Sequence, residues 1–346
     1  ATARRRSSGP SALSCAASRR LTSPGRTSCR TAAPIRGRIE SDVFCGVPVK
    51  LPQCFGACKT QPIMQKIVID KSFLDGASGQ QVRAVLARYQ ALVVEPLFYE
   101  LMTTTSDMKQ KAFSKLPREA GAFSLIPNVG TLLRYELEKR VPCARLEDCS
   151  IKGEHVFHEG LRDGTYLPEG QVLTDLKEWE IQTDAATQIF LSWCQYVHQF
   201  FPELSGIHMR DFRSAIVTAR NEVANNHERV RKIYVQIREN DLITEVIPFE
   251  LLDTEWISFR FVQCHLLAAL RIFGRYQGKI QRTPNLLRKA EHSMHDLEYV
   301  IAASLVGAIA TNDREVEEDF RLLCPRGVVI RPGLDGAACV GENVVG

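Results

Sequence analysis

The 346-residue chain lacks any uninterrupted apolar run of the ~18 residues a membrane-spanning helix needs. Its longest apolar stretches, 261–273 and 297–310, read as core helices, so no membrane partner is expected. Eleven cysteines are present without a single C-x-x-C pair. Neither Cys54-x3-Cys58 nor Cys143-x5-Cys149 has the paired spacing of a zinc module. Reduced, unpaired thiols in a cytoplasmic protein are the expectation. Methionine is missing ahead of Met64, and residues 1–40 contain no lysine and one acid, Glu40, against nine arginines. That segment carries +8 in a chain whose net charge is +4, so the remainder is acidic by four charges.

Residues 1–62 are rich in Arg, Ser, Ala, Pro and Cys and show almost no apolar periodicity. Such a segment cannot bury enough surface to offset chain entropy, and disorder is expected. It suits an organelle transit peptide, which would place the protein in an organelle. It equally suits a basic arm that touches nucleic acid. The third reading is upstream sequence translated ahead of a true start at Met64, and the missing methionine favours it. The rest is long enough for two domains, and 45% apolar content can fill a core.

From Met64 the grammar is strand–helix–strand–helix. QKIVID (65–70) is a β-branched strand, 80–89 has helical spacing, ALVVE (91–95) is a second strand, and Pro96 opens a helix. This pattern predicts a parallel α/β sheet whose strands all end at one edge. Asp70, Glu95 and Glu100 fall at that edge. Residues 113–287 differ: 115–172 reads as loop, and amphipathic helices are predicted over 173–201, 210–239 and 255–276. The stripe Trp179, Ala186, Ile189, Phe190 and Trp193 in the first of these reads as plain core. Residues 332–346 read as a frayed tail.

The stretch 294–320 closes the α/β pattern with a buried helix, a return at Gly307, a short strand AIAT and a helix from Glu315. The climb of the helix and the return of the strand bring Asp296 and Asp313 to the same edge. Each acid also has a plainer reading. Ser293-x-x-Asp296 fits a helix capping box, and Asp313 fits a cap on the helix that follows. Just upstream, residues 271–290 hold Arg271, Arg275, Lys279, Arg282, Arg288 and Lys289 and no acid. A solvated helix face is one account; a strip contacting phosphates of a nucleic acid is the other.

Four carboxylates thus share one edge: Asp70, Glu100, Asp296 and Asp313, with Glu95, Glu315 and Asp319 in reserve. Like charges so placed call for a cation, and all-oxygen ligands suit Mg²⁺ or Mn²⁺. At this point the sequence resembles the PIN domain family of metal-dependent ribonucleases, found in many toxin–antitoxin nucleases. IVIDKSFL (67–74) matches its opening strand with Asp70 and Ser72, and LFYELMT (97–103) its second acid, Glu100 rather than Glu95. HDLEYVIAASLVGAIATNDREV (295–316) matches its closing half, with Asp296 and the T-x-D of Thr311, Asn312 and Asp313. The match covers roughly 64–112 and 291–330.

The resemblance implies a three-layer α/β/α domain, split between 63–112 and 288–331 by a mainly helical insertion at 113–287. It also implies Mg²⁺- or Mn²⁺-dependent hydrolysis of RNA, with Ser72, Thr311 and Asn312 supporting the acids. An antitoxin-like inhibitor and an oligomer are compatible partners. Lys71 departs from the pattern, since its ammonium could pair with Asp70, and so does the long gap from Glu100 to Asp296. The competing readings are a non-catalytic PIN-like module that binds RNA or protein and, more distantly, a dehalogenase-type phosphatase. The latter needs an aspartate where Ser72 stands.

Overall fold

Five short apolar runs make one sheet: β1 (Gln65–Ile69), β2 (Tyr89–Val94), β3 (Phe123–Ile126), β4 (Ala308–Ala310) and β5 (Val328–Ile330). The structure is a computed structural model describing residues 64–333 apart from 120, 144–145, 152–154 and 241–246. The expected disordered leader, the cysteines within it and all but the start of the 332–346 tail lie outside the described residues. All strand pairs are parallel, in the order β3-β2-β1-β4-β5. Consecutive side chains on a strand point to opposite faces. Ile67, Val68 and Ile69 in β1 and Leu92, Val93 and Val94 in β2 are nevertheless all buried, so the sheet is covered on both faces. The chain is α/β, and this cover is compatible with a three-layer arrangement.

Strand order decides where a site can lie. From β1 the chain steps outward through β2 to β3, then returns to the other side of β1 for β4 and β5. The reversal falls between β1 and β4, and crevices of open α/β sheets form at such a switch point, beyond the strands' carboxyl ends. Val68 pairs with Ile309 and Ile69 with Ala310, and the Asp70 amide donates to the Ala310 carbonyl at 3.0 Å. Asp70 and Thr311 are therefore the first residues past the sheet on either side of the switch.

Before the middle region come α1 (Lys71–Gly76), α2 (Gly79–Leu86), α3 (Glu95–Thr103) and α4 (Ser106–Lys115). Next follow β3 and α5 (Val129–Lys139). Both fall in the stretch read as insertion, so the sheet takes its third strand from beyond residue 113. FSLI is too short to show periodicity among the surrounding Pro and Gly residues, which is why it reads as loop. The later helices are α6 (Gly160–Asp163), α7 (Gly170–Gln195), α8 (Val197–Phe200), α9 (Met209–Asn225), α10 (His227–Asn240) and α11 (Ile257–Arg275). Two expected helices are each divided, at Tyr196 and at Asn226. Helix α11 is long and apolar enough to cross a bilayer by length and composition, but most of it is buried among α5, α7, α9 and α10. Its apolar residues join those of the sheet in a single core.

The last elements are α12 (Pro284–Val306) and α13 (Arg314–Leu323). Helix α12 begins well ahead of Met294, and Ser293 lies buried in its middle rather than at its start. Its N-cap is Thr283, whose hydroxyl accepts from the Leu286 amide at 3.2 Å, with Pro284 at the first position, which proline tolerates well. The capping box read at Ser293-x-x-Asp296 is therefore not formed. Gly307 ends the helix as expected, at φ 77°, where a side chain would be strained.

Candidate functional site

The C-terminal end of β1 places Asp70 in the switch-point crevice, where it caps α1. One carboxylate oxygen accepts from the Ser72 amide at 3.0 Å, the other from the Ser72 hydroxyl at 2.6 Å and from the Thr311 hydroxyl. Ser72 Oγ also accepts from the Asn312 amide at 2.8 Å, and Thr311 Oγ1 from the Asp313 amide at 3.0 Å. These bonds tie the ends of β1 and β4 together. Ser72 and Thr311 thus hold both oxygens of the acid between them. Asn312 joins them through its backbone, and its side chain is exposed.

Asp313 caps α13, with one oxygen accepting from the Glu315 amide at 2.7 Å and the Val316 amide at 3.2 Å. The plain capping account therefore holds for Asp313, although its carboxylate also bears electrostatically on Asp70 and Asp296. Asp296 differs. It lies in the body of α12 and has no cap to supply, and its carboxylate has no hydrogen bond or ion pair among the described residues. Burial, then Asp313 and Asp70, push its carboxyl well above the usual range; Arg271 opposes this and Glu100 adds to it. Burial likewise raises Asp70, against its bonds to Ser72 and Thr311.

Glu100 on α3 completes the cluster. Burial pushes it up to about 7, partly offset by the Tyr299 hydroxyl, which donates to it at 2.5 Å, and by Lys71. Tyr299 does not stand out in the sequence. Its one signal is spacing: it lies a turn after Asp296 on the same helix face. Lys71 does not pair with Asp70; its ammonium is 3.4 Å from Asp75.

The four predicted acids are thus electrostatic neighbours. Their chemistry suits a hard divalent ion. Among the described residues, however, no three carboxylate, imidazole or thiolate side chains converge tightly enough to enclose one. The hydroxyls of Ser72, Thr311 and Tyr299 hold Asp70 and Glu100 instead, and the α13 amides hold Asp313.

The reserve acids belong elsewhere. Asp319 accepts from Arg220 at 2.6 Å and from Arg271, while Glu315 pairs with Arg271, Arg275 and Lys289. The basic strip is therefore not one surface. Arg271 is largely buried in this ionic network, and Arg275, which is exposed, and Lys289, which is half-buried, pair with Glu315 at its edge. Lys279, Arg282 and Arg288 are exposed, Arg282 reaching Gln188 at 3.1 Å and Arg288 reaching Asn285 at 3.1 Å. Glu95 turns away from the cluster to accept from Asn128, beside Glu298, which accepts from the Val129 amide at 2.8 Å. The described cysteines form no disulfide.

One consequence is measurable without metal. An acid raised to about 7 holds its proton more tightly folded than unfolded, so its contribution to stability is lost as pH rises from about 4.5 through 7. His265 and His295, lowered by burial to about 4, act with the opposite sign between 4 and 6.5. Glu100→Gln isolates the first effect, since an amide oxygen still accepts from Tyr299. In EDTA the variant should gain on wild type by about 3 kcal/mol between pH 4.5 and 8. Denaturant melts at both pH values check this, and a pH-independent difference would contradict it.

No protein-family model matches the chain, nor does any curated protein or solved structure.

Proposed function

We propose that the chain is a divalent-metal-dependent endoribonuclease of the PIN type, with a three-layer α/β/α domain. Asp70, Glu100, Asp296 and Asp313 would hold Mg²⁺ or Mn²⁺. The observation that carries this reading is Asp296: a carboxylate without a partner, set among three other acids at the switch point of a parallel sheet. A half-buried carboxylate crowded by other acids is costly without a cation, and a helix interior gives this one no capping duty.

A bound ion of this kind lowers the pKa of a water and braces the leaving oxygen of a phosphodiester. The chain's own residues do the rest. Ser72 and Thr311 fix the Asp70 carboxylate, and Tyr299 fixes Glu100. Lys279, Arg282 and Arg288 are exposed and able to approach backbone phosphates of RNA, a contact that would weaken with salt.

The test is cleavage of single-stranded RNA by the purified chain in Mn²⁺, with and without EDTA. Cleavage that EDTA abolishes is expected. RNA binding without cleavage would instead favour the non-catalytic module.

A further inference from the structure

Beside the acid cluster lies a separate cavity of about 250 Å³, walled by α3, α7, α11, α12 and the start of α5. Two carboxylates line it, Glu95 and Glu298, and no lysine or arginine does. Each is anchored by one oxygen alone. Glu95 Oε2 accepts from the Asn128 amide at 2.9 Å and side chain at 2.8 Å, and Glu298 Oε2 from the Val129 amide at 2.8 Å. The Oε1 atom of each has no hydrogen-bond partner among the described residues. Helix packing and the α5 start thus hold two acceptors in place with half their capacity unused.

The rest of the wall is mainly aromatic and apolar. Tyr99 and Trp179 meet edge to face with ring centroids 5.6 Å apart, and Phe261 lies on the same cavity. Trp179, Ala186 and Ile189, read from sequence as plain core, line this space, and Ile189 is 60% exposed. His265 and His295 also line it, and burial lowers both to about 4, so they bring no charge near neutral pH. The surroundings are acidic: Glu180, Glu291 and Asp184 bear on Tyr99, and Asp175 bears on Glu95.

Charge decides what fits. Burial raises both carboxyls, Glu298 to about 7, so the wall is only partly anionic near neutral pH, yet a phosphate-bearing ligand would still meet acids and no fixed cation. A neutral apolar ligand would strip water from two carboxylate oxygens and return nothing. An ammonium satisfies both oxygens, and aromatic faces attract the same charge. We propose that this cavity binds a small organic cation, an amine on an aromatic or short apolar body. Its ammonium lies against Glu95 and Glu298 and its body against Trp179 and Tyr99. The site is independent of the ribonuclease reading.

Calorimetric titration of the full chain with tryptamine, and with indole-3-propionate as an anion bearing the same ring, tests the proposal. Tryptamine should bind and raise the melting temperature, and indole-3-propionate should do neither. Glu298→Gln, which keeps an acceptor for the Val129 amide, and Glu95→Gln should each weaken tryptamine at least about tenfold. If Glu298→Gln does not fold, Glu95→Gln and Trp179→Ala carry the comparison. No binding of tryptamine, equal binding of the two ligands, or unchanged affinity in the folded variants would overturn the assignment.

Discussion

Glu136→Ala is expected to cost about 3–5 kcal/mol of stability. Glu136 is fully buried on α5, yet its carboxylate accepts from the amides of Cys143 at 3.0 Å, Ile257 at 2.6 Å and Ser258 at 2.8 Å. It also accepts from the Ser258 hydroxyl at 2.8 Å. The N-cap residue of α11, Trp256, supplies no side-chain cap, so Glu136 caps this helix from across the core. Burial raises its carboxyl despite these four bonds. Alanine would leave three buried amides without acceptors beside a new cavity. Denaturant unfolding reads the effect, and a loss below about 1 kcal/mol would show that the bonds are not formed.

Asp296→Asn should have two opposite effects. Metal-dependent cleavage of RNA should fall by roughly a hundredfold or more, because the proposed site would lose one carboxylate ligand. Stability in EDTA should hold or rise, since a raised, unpartnered acid has become neutral. Asp313→Ala is a less clean probe. It relieves the same repulsion but removes a cap worth about 0.5–2 kcal/mol. Cleavage assays and melts of the same preparations separate the two effects. A large drop in stability for Asp296→Asn would mean that this acid has a structural partner.

The sheet edge is legible in the sequence because it depends on local pattern. Apolar strands ending in Asp70 and in Thr311-Asn312-Asp313, joined by parallel crossovers, must deliver those residues to one side. Glu100 and Glu95 have different partners in the fold, Tyr299 for the first and Asn128 for the second. What the sequence conceals is tertiary. The four residues of β3 carry no periodicity. The start of α12 is hidden because its basic first half looks unlike its apolar second half. The partners of Arg271, Arg275 and Lys289 come from α13, at a separation no local pattern reveals. Tyr299 and Glu298 draw no notice in the sequence because their partners Glu100 and Val129 lie far off in it.

Four acids that share a cation at the switch point would be stabilised by it. The most direct test is thermal melting of wild type and Asp296→Asn in EDTA and in excess Mn²⁺. Ligand that binds only the folded state raises its melting temperature. Wild type should gain stability from Mn²⁺, and Asp296→Asn should gain much less while melting no lower than wild type in EDTA. No Mn²⁺-dependent shift in wild type, together with a lower melting temperature for Asp296→Asn in EDTA, would contradict the account.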